Sequence, residues 1–173
     1  MQRWVFDWIV PADAAAPLAA GALPESAERA ERAAPATLAG LTAGQATERH
    51  QAPRALPAGL QLRARSGPAW QGYFGVQLSL RRPAGTRLPA GSTGWLALVE
   101  QVKAGSDGTP VDRALVRSLA GPLALDALPA GQPLTHLRAL RWPASAEPTR
   151  LQARAWIEGP DGTILAVAAD QCR

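Results

Sequence analysis

The chain has 173 residues and a formal net charge of +4 at pH 7. This length suits one ordinary domain that buries a core without metal or disulfide staples, and it excludes a large α/β barrel. The single cysteine, Cys172, excludes an internal disulfide and any redox or zinc motif built on a pair of cysteines. Because no run of about 18 apolar residues occurs, the sequence predicts no membrane span.

The composition is biased towards alanine and arginine. The chain has 37 Ala and 17 Arg but only one Lys and no Asn, a pattern typical of codon usage in a GC-rich bacterial genome. Residues 1–58 carry five basic and six acidic residues, whereas residues 59–173 carry thirteen basic and eight acidic residues. A nucleic-acid partner would need a stripe of charge beside stacking residues. Since the arginines are scattered and aromatic residues make up only 5% of the chain, no nucleic-acid partner is expected.

The first part of the chain, residues 1–58, predicts an irregular N-terminal segment. Its apolar run Trp4–Val10 suits either one strand or a hydrophobic anchor, and the interruption at Asp7 makes it a poor signal peptide, so no signal peptide is expected. Six prolines forbid one long helix. A short surface helix is expected over Glu25–Ala34, where acidic residues suit a helix N-terminus. Residues 35–58 are expected to form a loop or linker.

Residues 59–173 predict an antiparallel β-sandwich-like domain of six or seven strands, so the fold class is mainly β. Apolar and polar residues alternate there with the two-residue period of half-buried strands. The turn signal Gly159-Pro160-Asp161-Gly162 predicts a hairpin from the last two strands. The expected strands are Leu60–Arg65, Phe74–Arg81, Trp95–Gln101, Leu134–Trp142, Leu151–Glu158 and Thr163–Ala169, and Leu115–Leu125 is ambiguous because Gly121-Pro122 interrupts it.

Bulky side chains for the core are few in this sequence. Four tryptophans, Trp70, Trp95, Trp142 and Trp156, are expected to supply much of the core volume. The segment Trp95–Gln101 is expected to be a strand whose first residues are apolar on both faces.

The sequence predicts no catalytic residue, no cofactor site and no metal site. His50 and His136 lie far apart and lack the further ligands that a metal ion needs. The Gly/Ser turns lack the spacing of a nucleophile elbow, no phosphate-binding loop occurs, and no two acids are marked as general acid and base. The remaining chemical candidate is the thiol of Cys172, whose reactivity depends on a nearby positive charge.

An anion-binding patch is a further hypothesis from the sequence. Such a patch requires several cationic side chains at short range, and arginine is suited to it because its guanidinium binds carboxylates and phosphates with two hydrogen bonds. The arginines concerned come together if the strands that carry them pair with one another, and they are Arg138, Arg141, Arg150 and Arg154.

Five segments and one further residue carry a family resemblance: Trp95–Glu100, Val102–Gly105, Arg113–Leu123, Ala155–Glu158, Gly162–Leu165 and Cys172. They resemble the C-terminal, β-rich part of the uncharacterised secreted thioredoxin-like proteins of proteobacteria. The resemblance covers roughly residues 60–172. This chain lacks the Cys-x-x-Cys motif of that family, and Ser106-Asp107 stands where Glu-Asn is usual.

The resemblance implies a periplasmic or secreted location and a non-catalytic β-domain of a bacterial envelope protein. Such a domain has an interaction or support role, which implies a protein partner. Two alternatives remain open from the sequence: a thiol-redox accessory protein that uses Cys172, and a basic module that binds an anionic polymer. The sequence leaves the identity of the partner and the oligomeric state open.

Overall fold

The computed structural model describes residues 4–9, 45–50, 59–106, 110–125, 131–144 and 146–170. These residues form nine strands and one short 3-10 helix. The strands are β1 (Trp4–Ile9), β2 (Gln45–His50), β3 (Gln61–Trp70), β4 (Tyr73–Arg81), β5 (Thr93–Val102), β6 (Arg113–Ala124), β7 (Pro133–Arg141), β8 (Leu151–Glu158) and β9 (Ile164–Ala169), and the 3-10 helix is Pro148–Arg150.

The strands form two sheets. Sheet A has six strands in the order β2-β1-β6-β5-β8-β9 and curls into half of a barrel, and sheet B has three strands in the order β3-β4-β7. The described pairs are antiparallel except for β1 with β6, which is parallel where Asp7 lies opposite Leu115. The prediction of a mainly β, sandwich-like fold is confirmed.

The main core lies between the two sheets. Strand β4 alternates apolar and polar residues, so Val76, Leu78 and Leu80 all point inward and are fully buried. They pack in one cluster with side chains from sheet A such as Leu96 and Leu98 of β5. Burying a leucine or valine of this kind contributes about 1.5–3 kcal/mol, so this interface is the main source of stability that joins the sheets.

A second buried cluster lies on the opposite face of sheet A. It contains Phe6 of β1, Ala97 and Val99 of β5, Val116 of β6 and Trp156 of β8. Strand β5 is therefore buried on both faces, and the expectation of a strand over Trp95–Gln101 is confirmed.

Strand β6 runs without interruption through the segment that the sequence left ambiguous. It accommodates Gly121-Pro122 at a register shift against β5, with a cis peptide bond between the two residues. A Cβ atom on Gly121 would overlap the indole ring of Trp95. The glycine is needed there because the ring occupies the space that a side chain would take.

Replacing Gly121 with alanine is expected to lower the free energy of unfolding by about 1–3 kcal/mol, the usual cost of forcing extra volume into a packed site. Urea unfolding measures the change. The matched control is Gly75→Ala in β4, where an added Cβ makes only ordinary contacts, and its stability should stay within about 1 kcal/mol of the parent. Equal losses for the two variants would contradict the role of Trp95.

The N-terminal segment differs from its prediction in one place. The run Trp4–Val10 contains strand β1, which pairs with β2. Strand β2 falls inside residues 35–58, so the prediction of a loop there is wrong over Gln45–His50. Its sequence lacks apolar alternation, and the pairing of its backbone with β1 is what makes it a strand. The helix expected over Glu25–Ala34 lies outside the described residues, and the division of the chain at residue 58 stays a prediction.

The terminal hairpin and the tryptophans give a mixed outcome. The hairpin of β8 and β9 is confirmed. Trp156 is 1% exposed and lies in the core as expected, and Trp95 and Trp142 are half-buried. The expectation for Trp70 is wrong, because this side chain is 70% exposed at the end of the β3–β4 hairpin.

Candidate functional site

The large exposed apolar side chains of the described residues are all in sheet B. They are Trp70, Tyr73 and Leu137, with exposures of 70%, 48% and 66%. Trp70 lies directly opposite Tyr73 across β3 and β4, so both side chains leave the same side of the sheet. Leu137 lies opposite Gln77. Gln77 is four positions from Tyr73 along β4, so the two residues point to the same face of the sheet. All three therefore project from the outer face of sheet B, away from the core.

Sheet B carries positive charge without any carboxylate. Its three strands contain five exposed arginines and no aspartate or glutamate. Four of these arginines share the outer face with the exposed apolar side chains, because they occupy the positions that alternate with the buried ones. We call this surface the arginine–aromatic face, and it consists of Arg63, Arg65, Trp70, Tyr73, Arg81, Leu137 and Arg141.

The strand register sets the layout of the arginine–aromatic face. Arg63 lies opposite Ser79 and Arg65 opposite Gln77, while Arg141 lies opposite Tyr73. Side chains two positions apart on a strand are about 7 Å apart, and neighbouring strands are about 5 Å apart. Arg63 and Arg65 thus lie about 7 Å apart along β3. Arg141 lies on β7 beside Tyr73, at the end of the hairpin.

A tight turn holds the aromatic pair in place. Gln71 and Gly72 both have positive φ angles, 47° and 81°, as in the two-residue turns that fit twisted hairpins. The amide of Trp142 donates a hydrogen bond of 3.2 Å to the carbonyl of Gly72. Trp142 also meets Phe74 edge-on, with ring centroids 6.0 Å apart. The end of the hairpin is therefore fixed to the segment that follows β7.

The four arginines of the predicted anion patch lie in different places. Arg138 and Arg141 are exposed on β7 of sheet B, and Arg150 ends the 3-10 helix. Arg154 lies on β8 of sheet A and is only 8% exposed. Strands β7 and β8 belong to different sheets, so the pairing on which the patch depended is not formed. Arg138 and Arg141 share strand β7, but their positions lie on opposite faces of sheet B.

Arg154 takes part in the second buried cluster instead. Its guanidinium lies 5.3 Å from the centroid of the Phe6 ring. Burial lowers the pKa of Arg154 to about 10, and the negative charge of Asp7 opposes that shift. At neutral pH the side chain is still charged, but its burial keeps it from meeting a large anionic ligand.

Two buried ion pairs lie inside the fold. Glu100 of β5 contacts Arg117 of β6, and each side chain is only 2% exposed. Asp7 lies 3.7 Å from Arg113 and accepts a 2.7 Å hydrogen bond from the amide of Ala114. Because solvent reaches neither pair, we interpret them as structural links between strands.

An open cavity of about 320 Å³ lies beside the loop between β4 and β5, where Arg82, Arg87 and Ser92 are among the lining residues. The guanidinium of Arg82 donates a 2.7 Å hydrogen bond to the carbonyl of Thr86. The hydroxyl of Ser92 donates to the carbonyl of Pro89 at 2.7 Å. Both polar groups thus bond to backbone atoms of the same loop, so we interpret their role as holding the conformation of that loop.

The remaining chemical candidates give no assembled centre in the described part of the chain. His136 lies 3.2 Å from the carbonyl oxygen of Ala124 through its Nε2 atom. The side chain of His50 and the thiol of Cys172 lie outside what the structure describes, so the thiol stays a prediction. Among the described residues, no three His, Cys, Asp or Glu side chains are placed to hold a metal ion, and no helix is long and apolar enough to cross a membrane.

Comparison with known proteins adds no relative. No family model, curated protein or solved structure matches the chain. The resemblance to secreted thioredoxin-like proteins therefore stays a prediction.

The arginine–aromatic face was missed at the level of the sequence, although one signal for it was present. Residues 59–99 contain five arginines and no aspartate or glutamate. This acid-free stretch covers β3 and β4 entirely, so a count of acids along the chain would have found it. The sharing of one face by arginines and aromatics depends on the register, which composition does not give.

Proposed function

We propose that the chain is a non-catalytic binding module that docks an acidic protein surface on its arginine–aromatic face. One observation carries the proposal: exposed arginines and the large exposed apolar side chains share one face of a sheet that has no carboxylate. The proposal is the interaction role expected from the sequence, now attached to a particular surface.

The residue types on the face support a protein interface. Tryptophan, tyrosine and arginine are the side chains that most often dominate the binding energy of such interfaces. Apolar side chains grouped on an exposed surface and surrounded by polar residues mark interaction sites more often than chance. Trp70, Tyr73 and Leu137 supply apolar contact area, and Arg65 and Arg141 stand beside them.

The charge on the face supports an acidic partner. Arginine binds a carboxylate through two parallel hydrogen bonds, and such charge-assisted bonds are stronger than neutral ones. Because the three strands of sheet B have no acidic residue, their arginines find no carboxylate within the sheet itself. Complementary charge would also speed association and exclude basic partners.

The arrangement of the aromatic residues favours a protein over a nucleic acid or another anionic polymer. Single-stranded nucleic acids need aromatic side chains spaced so that successive bases stack on them. On this face the two aromatic side chains, Trp70 and Tyr73, form a single pair at the end of the hairpin. The third exposed apolar side chain, Leu137, is aliphatic and offers no ring for stacking. An anionic polymer remains the alternative that the experiment below separates.

The location in the cell envelope and the support role rest only on the family resemblance. Both remain proposals, as does the alternative of thiol chemistry at Cys172, which has no described contact in its favour.

The decisive variant is Arg141→Glu, tested with a synthetic peptide in which Glu and Val alternate. Each charge-assisted hydrogen bond contributes about 1.5–3 kcal/mol, so the reversal is expected to weaken binding about tenfold or more. The control Arg87→Glu makes the same charge change at an exposed position in the loop between β4 and β5, outside the three strands of sheet B, and should have a much smaller effect. Fluorescence anisotropy of the labelled peptide at low and high salt measures both.

Two results would contradict the proposal. Equal losses for Arg141→Glu and Arg87→Glu would show attraction by net charge alone. Binding of heparin or single-stranded DNA without binding of the peptide would favour the anionic-polymer alternative.

A further inference from the structure

We infer that the open edge of strand β7 binds an extended acidic segment of the partner as an additional strand of sheet B. This inference rests on the proposed function and specifies how the partner is held. The open edge consists of the outward-facing backbone groups of Thr135 and Ala139 and the amide of Leu137, whose carbonyl is bonded to Arg138.

Strand β7 ends sheet B, and in the described part of the chain no strand pairs with its other side. Two hydrogen bonds show which residues turn their backbone outward. The amide of Trp142 donates to Gly72 on the β4 side, whereas the carbonyl of Leu137 accepts a 2.8 Å hydrogen bond from the guanidinium of Arg138. Because backbone groups alternate along an antiparallel strand, the odd-numbered residues of β7 face outward.

The opposite edge of sheet B is already occupied. The amide of Ser66 in β3 donates a 2.7 Å hydrogen bond to the carboxylate of Asp170. The hydroxyl of Ser66 accepts from the amide of Ala153 at 3.4 Å. These bonds tie β3 to sheet A, so the sandwich is closed on that side and β7 is the edge that sheet B offers to a partner.

Charge decides between the occupants of the open edge. A second copy of β7 would set Arg138 and Arg141 beside cations of its own kind, and like charges on neighbouring strands destabilise pairing. An acidic strand places carboxylates there instead. The side chain of Leu137, which is 66% exposed, projects from the outer face of β7 and suits an apolar residue of the partner. Strand addition of this type takes its affinity from backbone bonds and its specificity from alternate side chains.

The test removes one outward N–H without touching the pairing of β7 with β4. Ala139→Pro does so, because the amide of Ala139 points away from β4 and proline is tolerated on an edge. Binding of the alternating Glu/Val peptide is expected to fall about tenfold or more. The control Ala139→Val keeps the N–H and should bind like the parent. In the parent complex, hydrogen exchange should slow at the amides of Thr135, Leu137 and Ala139.

A second measurement covers the case in which Ala139→Pro does not fold. The same peptide with alternate backbone amides N-methylated, offered to the unchanged protein, should lose its binding if it pairs as a strand. Suppose Arg141→Glu weakens binding but Ala139→Pro and the N-methylated peptide leave it unchanged. The proposed function then stands and the strand-addition inference is overturned. If no acidic peptide binds the parent, the proposed function fails and this inference fails with it.

Discussion

Replacing Glu100 with alanine is expected to lower the free energy of unfolding by about 3–5 kcal/mol, because the change leaves a buried guanidinium without its counter-charge. Arg117 donates a 2.7 Å hydrogen bond from Nε to Glu100, and its Nη2 atom lies 2.6 Å from the same oxygen. The other carboxylate oxygen accepts the amide of Glu147 at 3.0 Å. Glu100 therefore connects β5, β6 and the residue that caps the 3-10 helix, and urea unfolding measures its removal.

Two controls separate charge from general damage at Glu100. Asp112→Ala breaks the ion pair between Asp112 and Lys103, in which the side chain of Lys103 is 78% exposed and that of Asp112 is 63% exposed. Exposed ion pairs of this kind contribute little to the free energy of unfolding. The double variant Glu100→Leu with Arg117→Met removes both buried charges and should recover much of the loss. If Glu100→Ala were no more destabilising than Asp112→Ala, the assigned role of the buried pair would be wrong.

Replacing Trp156 with alanine is expected to cost about 3–5 kcal/mol, the usual range for removing a large aromatic side chain from a core. Trp156 is 1% exposed and lies between two aromatic neighbours. Its ring centroid is 5.0 Å from that of Phe6 and 6.1 Å from that of Trp95, which it stacks upon nearly in parallel. Its loss would leave a cavity at the point where strands β1, β5 and β8 pack together.

Trp70→Ala is the matched control for Trp156→Ala, since it removes the same side chain from a position that is 70% exposed. Its effect on the midpoint of urea unfolding should be small, whereas its effect on binding of the acidic peptide should be large. A stability loss at Trp70 as large as that at Trp156 would show that the hairpin end belongs to the core.

The sequence predicts those strands and turns that a few neighbouring residues specify by themselves. Alternation of apolar and polar residues in β4 reveals a strand, because a sheet with one buried face requires it. Pro160 and Gly162 reveal the last hairpin, because their backbone angles fit a turn. Strand β2 shows no such pattern, since its place depends on a partner strand far away in the chain.

For the arginine–aromatic face, likewise, the sequence predicts the charge, whereas the placement of its side chains depends on strands that pair across the chain. The positive charge of β3 and β4 can be read from residues 59–99, which contain no aspartate or glutamate. The placement of Trp70 cannot be read from hydrophobicity, which ranks it with Trp156 as a core residue. The two-residue turn Gln71-Gly72 is the local signal that places Trp70 at the end of a hairpin. The bulge that presents Arg117 to Glu100 depends on register and has no local signal.

The absence of carboxylates from sheet B has a consequence for how its affinity responds to acid. Arginine keeps its proton in water at all ordinary pH values, and the arginine–aromatic face contains no aspartate, glutamate or histidine. The face thus acts as a fixed array of charge. Weakening of a complex on acidification would therefore report protonation of the partner's carboxylates, so that a titration of this protein's affinity reads out the ionisation of the molecule it holds.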